Sequence, residues 1–365
     1  MNPSLLLYCR PGFEKECAQE IAHAASAAGV DGYVKSRPDS GWLLYVPHAP
    51  DGAAQLQRAL RFDALVFPRQ LVHRVVAATA LPTTNRAAPL AELATGIAAA
   101  IGTRFSCVWL ETADTNAAKE LSAFCRKFQP HLEKALRQRN LLDDAAAAAA
   151  HAPRLHVFFV DSATAWLGIT ESDNSAAWPL GIPRLKSVVG APSRSAQKLA
   201  EALQVFLTPT ERTQRLHEGI TGVDLGAAPG GWTWVLVRHG LQVTAIDNGK
   251  LAPEVMASGQ VEHLRADGFS WRPRRPVHWL VCDMVEKPAR VAVLMAEWLA
   301  SGDCEEAVFN LKLPMKKRYE EVERCRALID EVLQAARVPY RLALRQLYHD
   351  REEVTAHLRR IQKRN

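Results

Sequence analysis

Residues 222–247 read GVDLGAAPGGWTWVLVRHGLQVTAID, and few folds accommodate that order. An apolar run closes near Asp224. A loop follows carrying Gly226, Pro229, Gly230 and Gly231, then a short helical segment, then a second apolar run ending in Asp247. Strand, glycine-rich turn, helix, strand and terminal acid make up the cofactor-binding edge of an open parallel sheet. The glycines let the backbone approach a ligand, and the acid accepts hydrogen bonds from ribose hydroxyls. The spacing departs from G-x-G-x-x-G, because the middle glycine is missing and Ala228-Pro229 precede the glycine pair. A pyrophosphate cradle is therefore disfavoured, and with it a nicotinamide cofactor. S-adenosylmethionine (SAM), which has a ribose but no pyrophosphate, fits better.

The chain's 365 residues are long enough for two or three domains, each with its own core. A Pro- and Ser-rich passage, residues 172–193 with Pro179, Pro183 and Pro192, interrupts periodic structure and is the expected linker. Before it, residues 1–80 read as strand SLLLYCR, a Pro11-Gly12 turn, and a helix from Phe13 to Ala28. A strand pair follows over 32–46, then a helix at Ala53–Leu60 and a strand over Ala64–Val76. That order suits a small ferredoxin-like α+β unit. Residues 81–171 repeat the theme, with helices at Pro89–Ile101 and Lys119–Asn140 and strands at Arg104–Leu110 and LHVFFV. The Ala145–Ala150 tract reads as a helix end or loose connection. From residue 194 to 365 the pattern becomes α/β, with strands at GITGVDL, QVTAID, VEHLRAD, HWLVCD and EAVFNLKL and a closing pair at YRLALRQLYHD and EEVTAHLRR. The expected fold class is a Rossmann-like doubly wound sheet preceded by an α+β region.

Composition excludes several classes. An apolar fraction of 48% and a charged fraction of 23% are ordinary for a globular protein. No apolar run approaches the ~20 residues of a membrane span, and MNPSLLLYCRPGFEKE does not read as a signal peptide. The seven cysteines form no CxxC pair, so a reduced cytoplasmic protein without a metal site is expected. A net charge of +6 does not by itself indicate nucleic acid. Local clusters do more: Lys312, Lys316, Lys317 and Arg318, and the terminal series from Arg337 to Lys363 and Arg364, could supply phosphate contacts.

In such sheets ligands bind beyond the carboxyl ends of the strands. Five charged residues fall there: Asp224, Asp247, Asp267, Asp283 and Lys312. Asp247 is placed to bind the SAM ribose and Asp267 the adenine amino group. Asp224 is placed near the methionine ammonium or as an orienter of the loop. The fourth strand end decides the reaction. Transfer to an exocyclic base nitrogen usually employs an Asn/Asp-Pro-Pro-aromatic box, whereas this chain has Cys282-Asp283-Met284-Val285-Glu286. Transfer to pyrimidine C5 needs a presented thiolate, and strand alternation points Cys282 away from Asp283, into packing. Asp283 with Lys312 remains, together with Lys198 on the helical segment RSAQKLAEALQVF and Glu353 at the start of the last strand. Two lysines close together should lower one another's pKa, with Asp283 opposing that shift. A lysine poised in this way can take the proton of a sugar hydroxyl as it attacks a methyl group. Glu353 would anchor one ammonium, and Glu352 would face the other side.

Residues 194–356 resemble the FtsJ/RrmJ-like class of RNA ribose 2′-O-methyltransferases, whose signature is a Lys-Asp-Lys-Glu tetrad. Lys198, Asp283, Lys312 and Glu353 stand in its four motif contexts. The phrases VDLGAAPGGWT, CDMVEKP and FNLKLPMKKRYEEV are similar to bacterial members acting on 23S rRNA. The resemblance implies SAM as donor, a cytidine ribose in the peptidyl-transferase region of 23S rRNA as target (free or in a pre-50S particle), and Lys312 as proton acceptor. It also places SAM contacts on Ser195, Ala228, Pro229, Gly230, Gly231, Asp247, Asp267 and Asp283. Ala228 stands where related sequences often carry Cys, which matters little if the backbone binds.

The N-terminal half resembles the ferredoxin-like plus THUMP arrangement of RNA-modifying enzymes, marked by Pro11–Glu14. Such a module would grip structured RNA by backbone and shape. Candidate contacts are Arg69, Arg74, Arg86, Arg104, Arg126, Lys127, Lys134, Arg137 and Arg139. A monomer is expected, since no heptads appear. A non-catalytic rRNA-binding or ribosome-assembly factor stays open as the alternative.

Overall fold

The computed structural model describes residues 3–142, 152–185 and 190–361. The Ala145–Ala150 tract and the terminal Lys363 and Arg364 lie outside these. Two compact units divide the chain, Met1–Ile182 and Pro183–Asn365.

The first unit runs β1 (Ser4–Tyr8), α1 (Glu14–Ala27), β2 (Gly32–Ser36), β3 (Trp42–Pro47), α2 (Gly52–Ala59) and β4 (Gln70–Ala78). It continues with α3 (Ala87–Ile101), β5 (Val108–Thr112), α4 (Lys119–Gln138), β6 (Arg154–Phe159) and β7 (Ala165–Thr170). One sheet holds all seven strands in the order β2-β3-β1-β4-β7-β6-β5. Pairing is antiparallel except between β5 and β6. The strand expected over Ala64–Val76 is corrected. A 3-10 turn occupies Phe62–Ala64 and β4 begins only at Gln70, because the buried Glu20 carboxylate takes the backbone N–H groups of Val66 and Phe67 at 2.7 and 2.9 Å, outside any ladder. The strand expected over Arg104–Leu110 lies at Val108–Thr112. β7 went unread as a separate strand.

Glu14 gives the Pro11–Glu14 turn its physical meaning. Its carboxylate accepts N–H groups from Gly12 (3.0 Å) and Gly41 (2.7 Å), and Gly12 sits at φ +86°. The passage expected as a linker is partly built into this unit. Asn174 bonds the backbone of Leu60 and Phe62, Ala176 N–H donates to Gln70, and Leu180 N–H donates to Glu111.

The second unit runs α5 (Ala196–Phe206), α6 (Pro209–Arg215), β8 (Thr221–Leu225), α7 (Gly231–Arg238), β9 (Gln242–Ile246), α8 (Pro253–Met256) and β10 (Val261–Leu264). It ends with β11 (Val277–Cys282), α9 (Pro288–Ser301), β12 (Cys304–Lys312), α10 (Arg318–Ala335), β13 (Tyr340–Arg345) and β14 (Glu353–Arg360). The strand order is β10-β9-β8-β11-β12-β14-β13. The first five strands are parallel, and β14 and β13 close the edge antiparallel. β11 is apolar nearly throughout because both its faces are covered. Leu199 and Leu203 of α5 and Trp232, Val235 and Leu236 of α7 pack with Val243, Val281 and Val308 in one core cluster. The order reverses between β8 and β11, so the crevice lies where the glycine loop and Asp283 both emerge.

Candidate active site

The glycine loop is shaped by contacts that a Cβ would destroy. Gly226 has φ +75°, and a methyl there would meet Met284 Cγ at 2.4 Å. Gly230 has φ +109° and precedes α7. A methyl on Gly231 would meet Ser193 Oγ at 2.3 Å and Ser195 Oγ at 2.5 Å. The loop thus rests against the start of α5, the helix that carries Lys198. Trp232 Nε1 strengthens this join by donating to the Ser195 carbonyl at 3.0 Å.

Asp224 is buried, and its Oδ2 accepts the Thr233 hydroxyl at 2.6 Å. It therefore ties β8 to the first turn of α7 and orients the loop, one of its two expected roles. Burial pushes its carboxyl up to about 7 against the pull of the Thr233 hydrogen bonds, with Asp283 and Asp247 raising it further. Asp247 ends β9 as expected. Its Oδ2 accepts Ala228 N–H at 2.9 Å and its Oδ1 Gly249 N–H at 2.7 Å, so loop and acid form one piece. Each oxygen keeps a lone pair for a ribose hydroxyl. Asp267 does not end a strand: β10 stops at Leu264, and Asp267 is exposed in the following turn, where its Oδ1 accepts Phe269 N–H at 3.0 Å. Met284 lies between two glycines, since a methyl on Gly268 would also touch its Sδ, at 3.3 Å. These residues fit a nucleoside cofactor lying along the strand ends, with backbone where side chains would block it.

Beside this cleft the four tetrad side chains close a ring. Lys312 Nζ bonds both Asp283 Oδ1 and Glu353 Oε2. Lys198 Nζ bonds Glu353 Oε1 and stands 3.6 Å from Asp283 Oδ2. Each carboxylate bridges both lysines, so Glu353 anchors two ammonium groups rather than the one expected. Register explains the pairing, because Lys312 lies directly opposite Glu353 across the β12–β14 ladder. Glu352 turns away to Arg318. The expectation of a lowered lysine pKa is corrected. Burial pulls Lys312 down, but the Asp283 and Glu353 carboxylates outweigh it, and the ammonium is held above its ordinary range. The two carboxylates that Lys312 bonds directly set the direction of the shift.

Cys282 is fully buried and burial pushes its thiol up to about 12, which leaves no thiolate for base-carbon chemistry. Among the described residues no cluster of His, Cys, Asp and Glu could hold a metal ion, and no helix is long and apolar enough to cross a membrane.

Behind the ring lies a layer that motif reasoning did not find. Asn310 Nδ2 donates to Asp283 Oδ1 at 2.9 Å, and Thr355 Oγ1 lies 2.7 Å from Asn310 Oδ1. Thr355 also reaches Asp350. Glu201 on α5 accepts the N–H groups of Tyr348 and His349 and the His349 ring. Strand alternation was the available signal: Asn310 and Lys312 share one face of β12, and Glu353 and Thr355 one face of β14.

The sheet order, the glycine loop and the acid-ended strands define a SAM-dependent methyltransferase. Three family descriptions match the chain: an RlmM ferredoxin-like domain over residues 1–72, the N-terminal domain of ribosomal RNA large subunit methyltransferase M over 85–171, and an FtsJ-like methyltransferase over 191–337. The ribosomal RNA large subunit methyltransferase M of Methylococcus capsulatus is 54% identical over 361 residues, covering 97% of both chains. Those of Thauera aminoaromatica and Pseudomonas syringae pv. tomato are each 50% identical, covering 97% and 98% of this chain and 95% and 97% of theirs. A SAM-dependent methyltransferase from Aquifex aeolicus is 16% identical with a TM-score of 0.29, over 46% of this chain and 97% of that one, too slight to argue from. The chain belongs to the ribosomal RNA large subunit methyltransferase M family, and is a SAM-dependent rRNA methyltransferase.

Proposed function

We propose that the methyl group goes to the 2′-hydroxyl of a cytidine ribose in the peptidyl-transferase region of 23S rRNA, free or in a pre-50S particle. The nucleotide follows from the family resemblance; the acceptor atom rests on the Lys198–Glu353–Lys312–Asp283 ring beside the cofactor cleft. A hydroxyl must lose its proton as it attacks, and the ring puts two nitrogen bases there while the site's thiol is buried. SAM supplies an electrophilic methyl group on a sulfonium. In the transfer a 2′-O–CH3 bond forms, the S–CH3 bond breaks, and the hydroxyl proton passes to Lys312 Nζ. Lys312 accepts it only in the fraction that has lost its own proton, so the rate should rise with pH. Asp283 and Glu353 fix the direction of its lone pair, Lys198 balances their charge, and orientation supplies much of the acceleration.

The cofactor roles follow the cleft. Asp247 takes the ribose, the backbone of Ala228, Pro229, Gly230 and Gly231 lines the adenosine side, and Asp267 takes the adenine amine. Ser195 and Asp283 bound the methionine end. RNA would approach over the loops after β11 and β12, where Val285 and Met315 are 93% and 78% exposed beside exposed Lys287, Lys316 and Lys317. Residues 1–80 and 81–171 would act as ferredoxin-like and THUMP-like RNA grips ahead of a methyltransferase domain over 194–365. The N-terminal candidates divide accordingly. Arg69 is buried beside Asp114 and Arg139 pairs with Glu92. Arg86 and Lys134 instead line a ~480 Å³ cavity with Phe124, Phe128 and His131, suited to an unpaired nucleotide. A cytoplasmic monomer completes the reading.

Mapping 2′-O-methyl groups by mass spectrometry in 23S rRNA from cells lacking this chain tests it. One cytidine should lose its methyl group and regain it with the wild-type chain but not with Lys312→Ala. Unchanged ribose methylation, or full restoration by the variant, would overturn the reading.

A further inference from the structure

In the buried layer behind the ring, hydrogen-bond contacts outnumber the protons available when every carboxyl group is ionised. Asn310 is fully buried, and its side-chain N–H group must face the Asp283 carboxylate, because an amide oxygen there would meet oxygen with no proton between them. That orientation turns Asn310 Oδ1 toward Thr355, 2.7 Å away. A hydroxyl has one proton, and this one belongs to Asn310, the nearest of the three oxygens Thr355 reaches. Asp350 Oδ1 and Oδ2 lie 3.1 and 3.0 Å from the same Thr355 Oγ1. Oδ2 already accepts Leu347 N–H at 2.9 Å. A proton on Asp350 Oδ1 would satisfy the remaining contact, with the Thr355 oxygen as acceptor.

We propose that Asp350 is a proton-bearing positioning residue: its neutral carboxyl donates to Thr355, Thr355 donates to Asn310, and Asn310 fixes the carboxylate that holds Lys312. The surroundings agree. Asp350 is fully buried, and burial pushes its carboxyl up to about 8. The carboxylates of Glu353 on β14 and Glu201 on α5 raise it further, against the Leu347 N–H and the Thr355 hydroxyl. His349 is turned away into its bond with Glu201. Lys312 and Asp283 stand beyond Asn310, at the far end of the relay. When Asp350 ionises it demands the Thr355 proton, Asn310 Oδ1 loses its donor, and Asp283 loses the N–H group that holds it.

The proposal rests on Lys312 as the acting base, and two variants keep the two claims apart. Asp350→Asn supplies a permanent N–H donor and cannot ionise; Asp350→Ala supplies none. With saturating SAM and rRNA, Asp350→Asn should keep kcat near neutral pH, while Asp350→Ala should lose it roughly tenfold with little change in either KM. Lys312 is the acting base in both wild type and Asp350→Asn, so the ratio of the wild-type rate to the Asp350→Asn rate reports the ionisation of Asp350. That ratio should fall at least about fivefold between about pH 7 and pH 9.5. In a second measurement, independent of activity, the Tm of Asp350→Asn should gain on wild type as pH rises from about 4 to 8, because only the wild-type carboxyl must be kept protonated in the folded state. A flat Tm difference would overturn the protonated state. A rising Tm difference with a pH-independent rate ratio would overturn the positioning role. Full activity of Lys312→Ala would instead remove the base assignment while leaving the Tm result standing.

Discussion

Replacing Lys312 by Met removes one of the two cations that bridge Asp283 and Glu353 while retaining the apolar stem. The side chains of Lys312, Asp283 and Glu353 are 23%, 16% and 6% exposed, so the charges are mostly out of water. At about 4 Å and an effective dielectric near 20, each attraction is worth roughly 4 kcal/mol before desolvation is subtracted. Stripping a buried ion pair of one partner costs about 3–5 kcal/mol. Here Lys198 still touches both carboxylates and leaves one uncompensated charge rather than two, so about 3 kcal/mol is expected. For a unit of this size that is a Tm loss of roughly 6–12 °C. Adding Glu353→Gln removes the excess charge and should return about half of the loss, a coupling well above the scatter of independent sites. Methyl transfer from tritiated SAM to purified rRNA should fall roughly 10²–10⁴-fold in Lys312→Met and stay low in the double variant. The reasoning fails if the single variant keeps its rate within about threefold, or if Tm is unchanged and Glu353→Gln adds no recovery.

Gly231→Ala should weaken SAM binding about tenfold or more by calorimetry and lower kcat as well, because its methyl would meet Ser193 and Ser195 and displace the helix that carries Lys198. A normal SAM affinity would show that the loop does not depend on that close approach. Asp224→Asn bears on stability. The folded-state carboxyl is raised from 3.8 to about 7, so its contribution is fully present below about pH 3.8 and is lost as pH climbs toward 7, by at most about 4 kcal/mol. The variant's Tm should therefore fall less than wild type's across that window, and parallel curves would refute a protonated Asp224. Lys316→Glu with Lys317→Glu should raise KM for rRNA at least fivefold and reduce its salt dependence, with SAM affinity and saturated kcat kept. An unchanged KM would move the RNA path elsewhere.

Much of the site could be read along the chain because its parts are local. Gly226 to Asp247 is one contiguous unit, and the backbone bonds from Ala228 and Gly249 to Asp247 follow from that short span. The charged ends of β11 and β12 were legible because a buried parallel strand leaves few places for charge. Asp267 was misplaced by three residues, since nothing in VEHLRAD marks where pairing with β9 ends. In the first unit the strand after Leu60 was drawn too early, because the Glu20 carboxylate that takes the Val66 and Phe67 N–H groups lies more than forty residues away.

The amino-acid sequence alone determined the cofactor class, the sheet type and the four charged residues, each carried by residue type and spacing within a segment. Only the tertiary structure decided how those four charges meet. The β12–β14 register sets Lys312 opposite Glu353, and the reversal of strand order between β8 and β11 puts the glycine loop beside Asp283. It reversed the sign of the lysine shift, because Coulomb interaction depends on distances that no spacing encodes. It also brought Asn310, Thr355 and Asp350 together behind the ring, in a hydrogen-bonded layer whose proton count can be read only when all its partners are in place.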